Sequence, residues 1–244
     1  MPEAEIPLTG GCFTLGLVRV GDTVRRPHRE SSEFVGQLLL QLEARGVTWA
    51  PRYLGKDEHG RHSLRYVPGI TFPKWRRFAD DQVRAAARLL RDIHEATRGS
   101  ELAGRHSVVC HHDPGPNNVV FQDERPFAFI DFDFAAPGEP LEDLGYMAWS
   151  WCVASKPERQ PARVQAEQVR VLADAYGLDA ATRPALIDAM LERQRRNAAF
   201  WAKQLESAEI IASTPEKMRE RIAWSHREYA FVVENRAHFA HALG

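Results

Sequence analysis

Hydrophobic and polar positions come in short alternating runs over the first seventy residues and then recur at helical spacing through most of the remainder. Leu15-Gly16-Leu17-Val18-Arg19-Val20 is a short apolar run closed by Gly21-Asp22, and Thr23-Val24-Arg25 resumes the extended pattern, which predicts a hairpin. Ser32 can cap a helix in which Val35, Leu38, Leu39 and Leu42 share a face, ending near Gly46. Tyr53-Leu54-Gly55 and His62 to Val67 read as a second strand pair around Asp57-Glu58-His59-Gly60. Pro68-Gly69 closes this block and marks an expected lobe boundary, with residues 1–69 in one lobe and 70–244 in the other.

From Asp80 the period changes. Val83, Ala86, Ala87, Leu90, Ile93 and His94 fall on one helical face, and Gly99-Ser100 ends the run. Three short apolar strands follow, at Val108-Cys110, Val119-Phe121 and Phe127-Ile130, separated by polar loops rich in Pro, Gly and Asn. The last hundred residues read as entirely helical, and in the final helix Met218, Ile222, Tyr229, Val233 and Ala237 follow helical steps. His94 and the tryptophans at 149, 151, 201 and 224 are expected in the core, the tryptophans with a substrate pocket as the other reading. The pattern predicts an α+β fold of two lobes, a small β-rich one followed by a larger, mostly helical one.

Composition removes several function classes. A chain of 244 residues with 44% hydrophobic content can bury a real core and is not a disordered segment. Lys+Arg 32 against Asp+Glu 33 leaves no basic excess for phosphate backbones, so no nucleic-acid partner is expected. Cys12, Cys110 and Cys152 are odd in number and far apart, which argues for a reducing compartment rather than a disulfide framework. No run approaches a membrane helix and the first residues lack a secretory pattern, so a cytoplasmic location without membrane attachment is expected.

The chemistry-bearing residues cluster in one stretch. Cys110-His111-His112-Asp113-Pro114-Gly115-Pro116-Asn117-Asn118 places an Asn five residues after an Asp, and Ile130-Asp131-Phe132-Asp133 follows after a further strand pair. Two strand-flanked loops that bring an Asp and an Asn to a second Asp suit phosphoryl transfer: one carboxylate takes the proton of an attacking hydroxyl, and hard oxygen ligands hold Mg²⁺. A zinc site at 110–113 fits poorly, because neighbours on a strand point to opposite faces. Asp133 is open between a further metal carboxylate and an acid satisfied by backbone N–H groups.

On these residues the chain resembles the aminoglycoside phosphotransferase and choline kinase family, relatives of the protein kinases. The resemblance implies a kinase-like fold using ATP and Mg²⁺, with Asp113 as catalytic base, His111 buttressing the loop, Asn118 and Asp131 holding the metal, and Asp143 anchoring a helix. It further implies nucleotide contacts from Gly10 and Gly11, a hinge at Arg65, Tyr66 and Val67 whose backbone pairs with the base, and a phosphate-reaching Arg25, with Arg26 also open. Glu33 is nearest in register to pair with that arginine.

Only residues 132–142 separate Asp131 from Asp143, too few to seat a peptide, so the expected partner is a small-molecule hydroxyl acceptor. From Gly145 onward there are 14 Lys+Arg against 12 Asp+Glu, which lends little to a polycationic aminoglycoside. A sugar, amino-alcohol, nucleoside or another antibiotic fits as well. A nucleotide-binding regulatory module on the same fold is the competing expectation, since Glu33 is not clearly placed.

Overall fold

Alternation in the N-terminal runs pairs them into one sheet. The structure, a computed structural model, describes residues 4–8, 16–74, 76–207 and 213–244. Strands β1 (Glu5–Pro7), β2 (Val18–Val20), β3 (Thr23–Arg26), β4 (Tyr53–Lys56) and β5 (His62–Arg65) form an antiparallel sheet in the order β1-β2-β3-β5-β4. The expected hairpin is β2–β3, where Val20 faces Thr23 across Gly21-Asp22 and Gly21 takes the positive φ of 56° that the turn needs. Helix α1 (Ser32–Ala44) buries Val35, Leu38, Leu39 and Leu42, and Gly46 follows it in the left-handed region.

The chain leaves the sheet along residues 66–79. Gly69 runs so close to the following region that a Cβ there would lie 2.5 Å from the Phe121 carbonyl oxygen, and its φ of 142° also demands glycine. Beside it, Ile70 and Phe121 exchange two backbone hydrogen bonds of 3.1 and 2.7 Å. Helix α2 (Asp80–Thr97) then buries the predicted face of Val83, Ala86, Ala87, Leu90, Ile93 and His94.

Two small antiparallel ladders follow. Strand β6 (Val108–Cys110) pairs with β9 (Ala136–Gly138), and β7 (Val119–Gln122) pairs with β8 (Arg125–Phe129). Beyond them lie α3 (Pro140–Met147), a π-helical turn at Ala148–Cys152, and helices α4 (Ala162–Tyr176), α5 (Ala185–Glu206), α6 (Pro215–Glu234) and α7 (Arg236–Leu243). The last hundred residues are therefore helical but interrupted, most visibly at residues 153–161. Trp149 and Trp151 are fully buried, and Trp149 stacks on Trp224 at 4.3 Å, so these rings belong to the core.

The stripe expected in the last helix is shifted. Met218 is buried as expected, but Val233 is 46% exposed, and the inward line runs through Ser225, Glu228 and Val232. The chain also breaks at Asn235, so Ala237 belongs to a separate helix. No helix among the described residues is long and apolar enough to cross a membrane.

Candidate active site

Strand β6 is buried at all three positions and delivers His111, His112 and Asp113 directly after it. The turn that follows is held from below by Asp143 in α3, whose two oxygens accept the backbone N–H groups of His111 and His112, each at 2.6 Å. Asp143 also meets His94 Nε2 at 3.0 Å, and His94 Nδ1 meets the Tyr176 hydroxyl at 2.8 Å. Burial alone would raise the Asp143 carboxyl, but the His94 hydrogen bond and the imidazoles around it hold it down at about 2. His111 is fully buried: its Nε2 lies 3.0 Å from the Ile130 carbonyl and its Nδ1 accepts the Asp113 N–H at 3.3 Å. It braces the two loops against each other.

The β7–β8 hairpin does the converging. Asn118 precedes its first strand and Asp131 follows its second; Val119 faces Phe129, and the Ile130 N–H donates to the Asn118 carbonyl at 2.9 Å. Both side chains therefore stand at one end of one hairpin. Asn118 Nδ2 donates to the Asp113 backbone carbonyl at 2.9 Å and to Asp113 Oδ2 at 2.8 Å, which ties the carboxylate to the amide. Asp131 sits in the left-handed region at φ 65° and ψ 59°, uncommon for a residue with a side chain and typical of functional turns. An all-oxygen set of the Asn118 amide and the Asp131 carboxylate has the chemistry Mg²⁺ prefers.

Arg26 faces this end, and Arg25 does not. The Arg26 Nη2 donates to Asp131 Oδ1 at 2.8 Å and to Asp133 Oδ2 at 2.6 Å. Arg25, favoured from the sequence, instead bonds Ser63 Oγ and lies 4.0 Å from Asp57. The physical reason is strand alternation: consecutive residues of β3 project to opposite faces, and a reading one residue out of phase selects the arginine that turns away from Asp131. Asp133 is ion-paired with Arg26 and, at 3.8 Å, lies beside Arg29. Glu33 pairs with Lys56 and lies 3.6 Å from His62, so its ion pair is not with either arginine.

Two hinge positions are already engaged. The Arg65 N–H donates to the Arg52 carbonyl and the Tyr66 N–H to the Asp22 carbonyl, each at 2.8 Å, and the Arg65 side chain pairs with Asp22. Among the described residues the Val67 N–H makes no backbone hydrogen bond, which leaves it as the donor open to a base edge. Gly10 and Gly11 lie outside the described residues. The zinc reading fails on direction: Cys110 Sγ turns to the Glu139 carbonyl, His111 to Ile130 and His112 Nδ1 to Phe134.

Three further residues crowd Asp113. Lys74 Nζ stands 3.5 Å from Asp113 Oδ1, bonds the Tyr146 hydroxyl and lies 4.8 Å from that ring's centroid. Arg193 of α5 lies 4.6 Å from the same centroid and donates to the His112 carbonyl at 2.6 Å. Burial would raise the Asp113 carboxyl, but the Lys74 ammonium and the Tyr146 hydroxyl hold it below the usual range. Burial works against a charged Lys74 too, yet Asp113 keeps it protonated beyond its ordinary value. Burial, with the Asp113 charge, pushes the Tyr146 phenol up to about 12, so it stays neutral. The sequence signal for Tyr146 was its place one turn after Asp143; Lys74 and Arg193 carried none.

Residues 98–185 match the model of a family described as the phosphotransferase enzyme family, a span that contains Asp113, Asn118, Asp131 and Asp143. Along its length the chain is 29% identical to the trifolitoxin immunity protein of Rhizobium leguminosarum bv. trifolii, covering 98% of each chain. In three dimensions it is similar to a choline/ethanolamine kinase family protein from Mesorhizobium loti, with a TM-score of 0.62, 18% identity and coverage of 97% and 94%. It is similar also to the ADP-bound aminoglycoside phosphotransferase APH(2'')-Ib, with a TM-score of 0.57, 11% identity and coverage of 93% and 94%. The chain thus carries the phosphotransferase enzyme family's match over residues 98–185 and the kinase-like fold of choline and aminoglycoside kinases over nearly all its length.

Proposed function

We propose that the chain transfers the γ-phosphoryl group of ATP to a hydroxyl of a small molecule. The observation that carries this reading is the hydrogen-bonded Asp113–Asn118 pair standing with Asp131 at one end of the β7–β8 hairpin. The acceptor oxygen forms its bond to the γ-phosphorus as the bond to the β–γ bridging oxygen breaks, and ADP departs with that electron pair. The hydroxyl proton passes to the Asp113 carboxylate, which is ionised before reaction and aims the oxygen. Asn118 and Asp131 are the residues that would hold Mg²⁺, which when bound neutralises phosphate charge. Arg26 would turn from the two carboxylates to the phosphates, which its guanidinium can grip bidentately. The Val67 N–H and the segment of Gly10 and Gly11 would meet the nucleotide, with residues 1–69 as its lobe and 70–244 as the lobe of the catalytic loop and acceptor.

The likeness to an immunity protein is compatible with an antibiotic as acceptor, and a metabolite of similar size fits the same geometry. A cytoplasmic location supplies ATP and suits the free, buried Cys110 and Cys152. One observation favours a second reading: Glu33 pairs with Lys56 rather than Arg26, as a catalytically silent nucleotide-binding module could tolerate. ADP formation separates the two. Asp113→Ala is expected to lower turnover at least about 10²-fold while Mg·ATP still binds within a few-fold. Turnover equal to the wild type would remove Asp113 from the reaction, and tight nucleotide binding with no turnover on any hydroxyl compound would favour the silent module.

A further inference from the structure

The wall beside Asp113 is cationic. Lys74 comes from the segment between sheet and α2, Arg193 from α5, and both close on the Tyr146 ring of α3, at 4.8 and 4.6 Å. Gly115 makes room for the lysine: a Cβ there would lie 3.1 Å from Lys74 Cε. The Arg193 Nε is buried without a hydrogen-bond partner, a charged donor with capacity unspent. Against these two cations stands one carboxylate, Asp113, among the described residues. The nearby acids are neutralised elsewhere. Glu142 is bonded to Arg196 at 2.7 Å and faces His112, while Asp131 and Asp133 share Arg26 in the free protein and would face the metal side when Arg26 turns to the phosphates.

An ammonium-bearing acceptor would bring a third positive charge against Lys74 and Arg193, whereas an acidic acceptor meets complementary charge and fixed donors. Resting on the kinase reading above, we propose that the acceptor is an anionic hydroxyl compound, its carboxylate or phosphate held by Lys74 and Arg193 while its hydroxyl lies against Asp113. Lys74 then has a second use, since its link to Tyr146 and Asp113 fixes where that anion sits relative to the base.

The test is a panel added to protein and Mg·ATP, read as ADP formation and as melting temperature. It comprises D-glycerate and D-gluconate as hydroxy acids, glycerol 3-phosphate and D-glucose 6-phosphate as phosphate esters, glycerol and D-glucose as neutral controls, and choline and kanamycin as cations. An added shift or added ADP with one anionic arm and none with the cations is expected, and the responding arm names the anion. Lys74→Gln and Arg193→Gln should each weaken that response about tenfold or more, as loss of a charge-assisted hydrogen bond does, with partial recovery in Lys74→Arg. A response to choline or kanamycin alone, or to none of the anions, overturns the proposal. Mg·ATP by itself keeps the two readings apart: its own shift persists if only the anionic acceptor is wrong, and is absent if the kinase reading has failed.

Discussion

A single alternation on β3 decides which arginine faces Asp131 and Asp133. Arg26 is held by two carboxylates at 2.8 and 2.6 Å, so its removal leaves Asp131 and Asp133 without their shared cation and, on the proposed reading, the phosphates without theirs. Arg26→Ala is expected to raise KM for ATP and lower kcat/KM about tenfold or more. Arg25→Ala should alter stability by about 1 kcal/mol or less and leave the ATP titration unchanged. An ATP titration left unchanged by Arg26→Ala as well would put both arginines outside the nucleotide site. That one-residue phase was illegible in the sequence because both candidates are arginine and the strand's edges give no offset. Asp113, Asn118 and Asp131 were legible because short apolar strands flank them at fixed spacing, so their neighbourhood is local. Lys74, Tyr146 and Arg193 come from three separated elements, and nothing local in the chain announces that they share a ring.

At the scale of elements, the turn that carries Asp113 is fastened to α3 and α2 rather than left as a free loop. Asp143 takes two backbone N–H groups and one imidazole while fully buried, and its carboxyl sits at about 2, below the ordinary carboxylate value. A carboxyl depressed in the folded state contributes stability above its unfolded value and loses it as pH falls. The contribution, about 2–3 kcal/mol, is therefore present at neutral pH and fades from about pH 5 towards pH 2. Asp143→Asn should destabilise the protein at pH 7, and the gap between variant and wild type should narrow in denaturant titrations at lower pH. A gap constant from pH 7 to pH 3 would mean that the charge on Asp143 is immaterial to the anchor. Helix α2 was readable because its buried face is apolar at nearly every step. Helix α6 was not, because Ser225 and Glu228 occupy its buried line; Glu228 accepts the Ser155 N–H at 3.1 Å, and this polar content hides the face from a hydrophobic count.

Across the whole molecule, Arg26 is also a tie between the N-terminal sheet and the end of the β7–β8 hairpin, spanning more than a hundred residues of sequence. On the proposed reading, a Mg·nucleotide would exchange partners at this tie: the phosphates would take the arginine, and a cation would take the carboxylate it releases. Binding to the native state alone raises the melting temperature by mass action, about 2.7 kcal/mol at a ligand concentration a hundredfold above Kd, or several degrees for a chain of this size. Asp131→Ala isolates the exchange. Without ligand its melting point should change little, because Asp133 still holds Arg26 at 2.6 Å. With Mg·ATP most of the wild-type shift should be gone, and chelating the metal should cost the variant far less of its remaining shift than it costs the wild type. The asymmetry between metal-dependent and metal-independent shifts is what a structural role for Asp131 would not produce. A full Mg·ATP shift in Asp131→Ala would therefore move the metal away from this residue, and with it the reason for its left-handed backbone at the mouth of the hairpin.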